Sequence, residues 1–160
     1  MGIQNFSWVI PGILAGCALP GKDSKDVLSD LRDLKDKGIR HLVSLTGLKD
    51  EAVFIKHCFD LGLEHTYYPI PDFDTPAYNQ GFRDFIEKIL GLVKAKEPVC
   101  LHCHAGNGRT GLILCCVIGA HEGLKAEEAV KRVKSIRPYS VENSQQYYFV
   151  EKFLANYKKI

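Results

Sequence analysis

The chain has 160 residues, of which 46% are hydrophobic and 25% are charged, and its formal net charge is +2. These values are typical of a globular protein and predict one domain over residues 1–160. A net charge this small gives no argument for binding to nucleic acid or to membranes, so we expect neither partner. No apolar run is long enough to span a membrane, and no secretion signal opens the sequence. We therefore expect a cytoplasmic protein, with the nucleus as a second location.

The N-terminal half is predicted to alternate strands and helices. The segments "FSWVI" and "GILAGCA" flank the turn Pro11-Gly12 and predict a hairpin. Apolar residues recur at helical spacing from Asp23 to Lys37, which predicts a helix that ends before Gly38. The branched segment "IRHLVSL" predicts a strand, and a second helix is predicted from Asp50 to Leu61, before the strand "LEHTYYPI".

The C-terminal half begins with the loop "PDFDTPAYNQ", in which the prolines prevent long regular structure. Phe82 to Val93 then form the most amphipathic helix of the chain, and "PVCLHC" predicts a short strand. The segment "TGLILCCVIGA" is apolar on all sides, as in a helix buried within a domain. Two more helices are predicted, Ala126 to Ile136 and Glu142 to Tyr157. This alternation predicts an α/β fold, with a central, mainly parallel twisted sheet of about four to five strands and about five to six flanking helices.

The sequence contains six cysteines, at positions 17, 58, 100, 103, 115 and 116. In a reducing compartment these are expected to be thiols rather than disulfides. Cys100 and Cys103 form one C-x-x-C pair, but no second pair follows at the spacing of a zinc site. His102, Cys103 and His104 are adjacent at the end of a strand, where neighbouring side chains point in opposite directions. We therefore expect no metal ion here, and the phosphatase hypothesis developed below requires no organic cofactor either.

The stretch "PVCLHCHAGNGRTGLILCC" places a short loop between a strand and a helix, which is where ligands bind in this class of fold. Gly106 and Gly108 allow the backbone to turn successive amides inward, and the helix adds the positive end of its dipole. Arg109 supplies a planar fork that matches two oxygens of a tetrahedral oxyanion. The predicted phosphate ligands are the loop amides and this guanidinium, from residues His104, Ala105, Gly106, Asn107, Gly108 and Arg109.

Cys103 lies at the start of the same loop. A helix N-terminus and a neighbouring cation both favour the thiolate over the thiol, so this sulfur needs no general base beside it. A thiolate at the floor of a phosphate site is positioned for in-line attack on phosphorus. The loop therefore predicts a phosphocysteine intermediate, with Cys103 as the nucleophile and Arg109 as the phosphate clamp.

The segment "HCHAGNGRTG" has the form H-C-x-x-G-x-x-R-T-G and resembles the signature loop of the cysteine-dependent protein tyrosine phosphatases. Over nearly the whole chain the sequence is most similar to the small atypical dual-specificity phosphatases of the VHZ type. The segments that carry this similarity are "NFSWVIPGILAGCALP", "RHLVSLT", "IPDF" and "IRPYSVENSQQ". The resemblance implies a monomer that hydrolyses phosphotyrosine, and phosphoserine or phosphothreonine, in protein substrates.

The resemblance also implies supporting roles for residues around the loop. The His102 ring is expected to hydrogen-bond the loop backbone, and the Thr110 hydroxyl is expected to lie beside the sulfur and ease its departure. Glu142, with the nearby Gln145 and Gln146, is expected to lie where the hydrolytic water is positioned. The alternative interpretation of these three is a helix cap region of solvated polar residues.

Expelling an alkoxide or phenoxide from phosphorus requires a proton donor at the leaving oxygen. The family carries this acid in a Pro-Asp pair, which Pro71-Asp72 matches, so Asp72 is the predicted general acid and later the base. Asp74 is the alternative acid, two residues further on. The structural alternative for Asp72 is an Asx-turn residue between prolines.

Other functions remain open from the sequence. One is a phosphatase that acts on phosphoinositides or on RNA 5′-triphosphate ends, although such enzymes tend to carry lysines in the signature loop, where this chain has His104 and Asn107. Another is a non-catalytic phosphate-binding module, although Cys103, Arg109 and Asp72 are all present. A third is a rhodanese-like sulfur transferase, which would explain neither Arg109-Thr110-Gly111 nor the Pro-Asp loop.

Overall fold

The computed structural model of the protein describes residues 2–72 and 74–157. Within these residues the strands are β1 (Ser7–Ile10), β2 (Leu14–Cys17), β3 (His41–Ser44), β4 (Glu64–Tyr67) and β5 (Val99–His102). They form one sheet in the order β1-β2-β5-β3-β4, in which β1 and β2 are antiparallel and the other pairs are parallel. The predicted N-terminal hairpin and the mainly parallel sheet are confirmed.

Six helices accompany the sheet in the described part of the chain. They are α1 (Val27–Asp36), α2 (Glu51–Leu61), α3 (Gln80–Lys94), α4 (Gly108–Glu122), α5 (Ala126–Ile136) and α6 (Ser144–Tyr157). Every helix predicted from the sequence is present, and the bounds of α5 are those predicted. The α/β fold class is therefore confirmed.

The first helix begins later than predicted. The prediction begins it at Asp23, but α1 begins at Val27. The Asp26 carboxylate accepts a hydrogen bond from the amide of Ser29 at 3.0 Å and so caps the first turn. The polar residues before Asp26 form turns instead of continuing the helix.

The last helix also begins later than predicted, at Ser144 rather than Glu142. Val141 has φ +59°, which lies outside the helical region and is rare for a β-branched residue. Asn143 Oδ1 then accepts a hydrogen bond from the amide of Gln146 at 2.8 Å and caps the new helix. The strained backbone at Val141 thus separates Glu142 from α6.

The helices cover both faces of the sheet. α1 and α2 pack on one face, around buried residues such as Leu31 and Phe54. α3, α4, α5 and α6 form the larger cluster on the other face, around Phe82 and Phe153. Burying a side chain of this size stabilises the fold by roughly 1.5–3 kcal/mol. α4 is buried from Gly108 to Gly119, as predicted, because it contacts the sheet as well as α3, α5 and α6.

The parallel strands β3, β4 and β5 end at the same edge of the sheet. Ser44 is in register with Tyr67 on one side and with His102 on the other. The segments that follow these three strands therefore meet at this edge, which is where the fold class binds its ligands. None of the described helices is both long and apolar enough to cross a membrane.

Candidate active site

The segment between β5 and the first turn of α4, residues 103–109, carries the predicted chemistry and is named the signature loop. It begins with Cys103, which is 2% exposed, and ends with Arg109, which is 5% exposed. α4 begins within the loop at Gly108, so the unpaired N–H groups of its first turn lie there. The loop brings together a buried sulfur, a buried guanidinium and the positive end of a buried helix.

Four consecutive carbonyl groups of the signature loop are each held by a hydrogen-bond donor. The bonds are His102 Nδ1 to Cys103 O at 2.9 Å, the Leu19 amide to His104 O at 2.9 Å, Asn5 Nδ2 to Ala105 O at 2.9 Å, and Arg137 Nη2 to Gly106 O at 2.6 Å. The donors come from the end of β5, the segment after β2, the N-terminal turn and the end of α5. Distant parts of the chain therefore hold the loop in place.

Holding the carbonyls from outside turns the amides inward. In a trans peptide unit the C=O and the following N–H point in opposite directions. No cis peptide bond occurs among the described residues, so the N–H groups of residues 104–107 point away from the donors that hold the carbonyl groups. Asn107 O accepts from the amide of Gly111 at 2.7 Å, which orients the Gly108 amide in the same way. Inward-facing amides of this kind form a nest for an anion.

Gly106 is the position where the geometry of the loop requires glycine. Its φ of +85° lies in the region that favours glycine. A Cβ at this position would lie 2.5 Å from Cys17 O and 2.9 Å from the Ala18 amide nitrogen. Both are backbone atoms, so a side chain here would push the loop away from the end of β2.

Arg109 connects the signature loop to the segments that follow β3 and β4. Its Nη1 donates to Thr46 Oγ1 at 3.1 Å and to Ile70 O at 2.9 Å. Its Nη2 lies 3.1 Å from Asp72 Oδ1. The guanidinium is almost fully buried, and these acceptors offset the loss of its hydration. The contact brings Asp72 to the signature loop.

Asp72 and Arg109 line an open pocket of ≈ 710 Å³, together with Thr46, Gly47, Pro69, Ile70, Pro71 and His104. The Asp72 side chain is 57% exposed at the rim of this pocket. Cys103 is not among the residues that line the pocket, and it is buried. The exposed carboxylate of Asp72 therefore meets a guanidinium that is itself buried, at the rim of the pocket.

Asp74, the alternative acid, has different contacts. Its amide donates to Pro71 O at 3.1 Å, and its Oδ1 accepts from the amide of Thr75 at 2.8 Å. Asp74 lines a second pocket of ≈ 690 Å³, which runs along the first turns of α6. The fold thus brings Asp72 to Arg109, whereas the Asp74 carboxylate bonds to its neighbour in the loop.

His102 takes part in a chain of hydrogen bonds that leads away from the signature loop. His102 Nε2 lies 2.6 Å from Ser44 Oγ, and Ser44 Oγ lies 2.8 Å from His65 Nε2. Because the Cys103 carbonyl can only accept, the hydrogen of His102 is on Nδ1, and Nε2 accepts from the Ser44 hydroxyl. Ser44 Oγ then accepts from His65 Nε2. The expected hydrogen bond between the His102 ring and the loop backbone is present. It fixes which ring nitrogen carries the hydrogen, both in His102 and, through Ser44, in His65.

Burial keeps both rings of this chain neutral. Burial lowers the pKa of His102 to about 4, and the nearby His65 and Arg109 act in the same direction. Burial also lowers the pKa of His65 to about 4, with a smaller effect from His41. A neutral imidazole donates through one nitrogen and accepts through the other. His102 needs both roles, because it donates to Cys103 O and accepts from Ser44 Oγ.

Thr110 belongs to the first turn of α4, and Glu142 lies against the first residue of that helix, Gly108. Thr110 is fully buried, and its hydroxyl makes no hydrogen bond within the described part of the chain. The hydroxyl that the family resemblance implies beside the sulfur is therefore not hydrogen-bonded to Cys103 in this structure. Glu142 is exposed, and its carboxylate lies against Gly108 so closely that a side chain at Gly108 would overlap it. The absence of a side chain at Gly108 thus allows Glu142 to reach the loop.

The two glutamines near Glu142 lie in different environments. Gln146 is fully buried, its Oε1 accepts from the amide of Glu142 at 2.7 Å, and its Nε2 donates to Asp74 O at 3.5 Å. Gln146 therefore joins the start of α6 to the loop that carries Asp72. Gln145 lines the ≈ 690 Å³ pocket.

Asn5 and Arg137, two of the donors to the signature loop, have no predicted role in the sequence interpretation. In the sequence Arg137 follows the predicted helix Ala126 to Ile136 and belongs to the family-like segment "IRPYSVENSQQ". A sequence signal that could have indicated this contact is Gly16 in an apolar strand. A Cβ at Gly16 would lie 3.1 Å from both Nε and Cζ of Arg137, so glycine gives the guanidinium room to pass β2.

Most of the other cysteines are held as thiols by burial. Burial raises the pKa of Cys58 and of Cys115 to about 12. It also raises the pKa of Cys17 and of Cys116 well above the usual range. Cys17 Sγ and Cys100 Sγ lie 3.5 Å apart, without a disulfide. The described residues include no cluster of three or more side chains that could hold a metal ion.

The parallel sheet, the buried helix and the cysteine–arginine loop between them define a domain of the cysteine-dependent protein tyrosine phosphatase superfamily, of the small atypical dual-specificity type. The chain belongs to the family described as "Tc-R-P: Polymorphic toxin system, DSP-PTPase phosphatase", which matches residues 15–122. That range runs from β2 to the end of α4 and includes Asp72 and the whole signature loop.

Curated relatives carry the same kind of domain. Dual specificity protein phosphatase CDC14B of Mus musculus is 29% identical over 92% of this chain and 31% of its own length. Protein tyrosine phosphatase domain-containing protein 1 of Bos taurus is 28% identical over 92% of this chain and 20% of its own length. The chain thus spans about a third or less of these relatives. Cyclin-dependent kinase inhibitor 3 of Rattus norvegicus is 26% identical over 86% of this chain and 69% of its length.

Solved structures show the same fold. Kinase associated phosphatase (KAP) has a TM-score of 0.85 at 20% identity, over 100% of this chain and 98% of that chain. Tk-PTP in its active form has a TM-score of 0.77 at 23% identity, over 94% of this chain and 96% of that chain. At these identities the likeness extends to the fold alone.

Proposed function

We propose that this protein is a protein phosphatase that acts on phosphotyrosine, and on phosphoserine or phosphothreonine, through a phosphocysteine intermediate. Cys103 is the nucleophile, Arg109 clamps the phosphoryl group, and Asp72 is the general acid and then the base. The observation that carries the proposal is the 3.1 Å contact between Arg109 Nη2 and Asp72 Oδ1, because it joins the loop of the acid to the loop of the nucleophile.

In the first step Cys103 Sγ forms a bond to phosphorus while the bond from phosphorus to the leaving oxygen breaks. The inward amides of residues 104–108 and the Arg109 guanidinium stabilise the charge on the other three oxygens. Protonated Asp72 gives its proton to the leaving oxygen, so the product departs as an alcohol or a phenol. The attacking form of Cys103 in this proposal is the thiolate, as the sequence of the loop predicts.

In the second step water attacks phosphorus, Asp72 accepts a proton from it, and the sulfur–phosphorus bond breaks. The products are inorganic phosphate and the Cys103 thiolate. Thr110, whose buried hydroxyl has no partner among the described residues, is the donor that we assign to the departing sulfur. Glu142, beside Gly108, is the residue that we assign to the attacking water.

Substrate binding displaces Asp72 from Arg109. A phosphoryl group that uses both edges of the guanidinium needs Nη2, the atom that Asp72 contacts in the structure. The incoming oxyanion therefore replaces the carboxylate at Nη2 and leaves Asp72 at the rim of the pocket. The rim is where the leaving oxygen of a bound substrate emerges, so the displaced Asp72 is near the oxygen that it must protonate.

The nucleophile is tested with Cys103→Ser. We expect this variant to lose turnover of para-nitrophenyl phosphate by at least about 10³-fold, because the hydroxyl is a much weaker nucleophile than the thiolate. It is expected to keep its affinity for inorganic phosphate, since the amides and Arg109 are unchanged. Turnover close to that of the unmodified protein would refute the assignment.

The acid is tested with the matched pair Asp72→Asn and Asp74→Asn. Asp72→Asn is expected to slow an alkyl phosphopeptide about 100-fold, and para-nitrophenyl phosphate much less, because a good leaving group needs little protonation. Asp74→Asn serves as the control and is expected to slow neither substrate appreciably. The opposite pattern, with the large loss in Asp74→Asn, would transfer the role of acid to Asp74.

Protein substrates are supported by the family and by relatives named as dual specificity and tyrosine protein phosphatases. The alternatives are phosphoinositides and RNA 5′-triphosphate ends. Side-by-side kcat/KM values on a phosphopeptide, a short-chain phosphoinositide and a triphosphorylated oligonucleotide decide between them. We expect the phosphopeptide to be the best substrate, and a higher kcat/KM on either of the other two would overturn this choice.

A further inference from the structure

We infer that Asn5 and Arg137 are positioning residues of the phosphate site, which act through the carbonyl groups of Ala105 and Gly106. This inference rests on the proposed function and adds to it the side chains that set the direction of the amides. Neither residue touches the reacting atoms. Their effect is transmitted through two consecutive peptide planes of the signature loop.

Asn5 reaches the loop from the N-terminal turn. Its Nδ2 donates to Ala105 O at 2.9 Å and to Asn107 Oδ1 at 3.1 Å. Asn5 has φ +55°, a left-handed conformation that asparagine adopts more readily than most residues. The preceding Gln4 O accepts from the amide of Ala18 at 2.9 Å, which joins the turn to the segment after β2. The side chain of Asn5 is thus held at the outer side of the loop.

Arg137 reaches the loop from the end of α5 and is 4% exposed. Its Nη2 donates to Gly106 O at 2.6 Å, and its Nη1 lies 2.8 Å from Asn5 O, 2.7 Å from Ser7 Oγ and 3.0 Å from Gly16 O. One guanidinium thereby joins the N-terminal turn, β1, β2 and the signature loop. A buried guanidinium is stable only with such acceptors, so its position is well defined.

The two side chains hold neighbouring peptide units. Asn5 holds the carbonyl of the Ala105–Gly106 unit, and Arg137 holds the carbonyl of the Gly106–Asn107 unit. The amides of Gly106 and Asn107 therefore point to the opposite side, toward the oxyanion. Gly106 has wide backbone freedom, so without these two bonds its neighbouring peptide planes can rotate. Rotation would remove two donors from the phosphate without unfolding the domain.

The test uses Asn5→Gly, with Gln4→Ala as the control. Glycine accepts the φ of +55° without strain, so the variant removes the donor and keeps the turn. Gln4 lies in the same turn, but its Nε2 donates only to Gly2 O, at 3.0 Å, among the described residues. We expect Asn5→Gly to lower kcat/KM for para-nitrophenyl phosphate about tenfold, with an unchanged thermal midpoint, because one amide loses its orientation. We expect Gln4→Ala to keep the original value.

A second readout is the binding of inorganic phosphate to Cys103→Ser and to Cys103→Ser with Asn5→Gly. In Cys103→Ser we expect phosphate to shift the amide resonances of Gly106 and Asn107, and the added Asn5→Gly should reduce those shifts and weaken binding about tenfold. Equal binding and equal shifts in the two proteins would overturn the inference and leave the proposed function intact. No phosphate binding by Cys103→Ser itself would instead overturn the proposed function.

Arg137→Lys provides a further arm, because lysine keeps the charge but cannot reach four acceptors with one fork. We expect a larger loss of kcat/KM than in Asn5→Gly, together with a lower thermal midpoint. If Arg137→Lys folds and retains the kcat/KM of the unmodified protein, the role of Arg137 is refuted. If Arg137→Lys does not fold, the pair Asn5→Gly and Gln4→Ala still decides the matter.

Discussion

Ser44 is buried on β3, away from the reacting atoms, yet it connects two histidines to the backbone of Cys103. Replacing it with alanine removes the hydroxyl that donates to His102 Nε2 at 2.6 Å and accepts from His65 Nε2 at 2.8 Å. His102 has no exposed surface, so its Nε2 is left without a partner. A stranded buried acceptor costs about 1–3 kcal/mol, and the lost bond to the partly exposed His65 adds about 1 kcal/mol at most.

We therefore expect Ser44→Ala to lower the free energy of unfolding by about 2–3 kcal/mol. In a protein of this size that corresponds to a fall in the thermal midpoint of roughly 4–12 °C. The tautomer of His102 is then no longer fixed, and the carbonyl of Cys103 loses its constant donor. We expect kcat for para-nitrophenyl phosphate to fall about tenfold, since the His104 amide is no longer held toward the oxyanion.

The control is Thr66→Val, which removes a similar bond one strand away. Thr66 Oγ1 lies 2.8 Å from His41 Nε2. Neither Thr66 nor His41 is a member of the series of hydrogen bonds that runs from His65 through Ser44 to His102 and the signature loop. Urea unfolding and steady-state kinetics of both variants, with ¹⁵N spectra of the imidazoles, separate stability from catalysis. Ser44→Thr restores the hydroxyl and should restore the tautomer. The reasoning is refuted if Ser44→Ala keeps the kcat of Thr66→Val, or if its His102 tautomer is unchanged.

Two further predictions concern pH and glycine. The folded-state pKa of His102, about 4, lies below the ordinary 6.5, so its stabilising effect is complete above pH 6.5 and is lost as pH falls toward 4. We expect urea unfolding to show about 2 kcal/mol less stability at pH 5 than at pH 7 from this residue, and equal stability would contradict its burial as a neutral ring. Gly106→Ala should lower kcat/KM more than about 100-fold, because its Cβ would meet backbone. Gly12→Ala is the matched control, since Gly12 also has positive φ but no atom lies within 4 Å of the added Cβ. An equal loss of kcat/KM in Gly12→Ala would show that backbone strain alone, rather than the contact with backbone at Gly106, lowers the activity.

Much of the fold could be predicted because hydrophobic periodicity is a local property. The buried α4 and the bounds of α5 follow from runs of apolar residues that are continuous in sequence. The errors fall at helix starts, where single contacts decide the boundary. Asp26 caps α1 after a polar run that is compatible with a helix, and the positive φ of Val141 delays α6. Neither contact has a periodic signal.

The site divides in the same way. Cys103, Gly106 and Arg109 lie within seven residues between a strand and a helix, so a phosphate site could be predicted from their residue types, spacing and context. The prediction of Asp72 depends on the Pro-Asp pair that the family resemblance implies, and only the fold brings Asp72 to Arg109. The donors Asn5 and Arg137 are 132 residues apart in the sequence, although they are hydrogen-bonded to each other in the fold. In the sequence each is an ordinary polar residue. Contacts of this range depend on tertiary packing and leave no local pattern.

The amides that we propose to bind the oxyanion belong to the main chain, whereas the side chains of His104 and Ala105 are exposed. Every amino acid except proline carries the same backbone N–H group. Substitution at these two positions therefore changes the side chains that a bound substrate contacts and keeps the backbone amides of the phosphate site. Under the proposed function, single substitutions at these two positions would change the choice of substrate. They are also the positions at which selectivity could be altered by design without rebuilding the phosphate site.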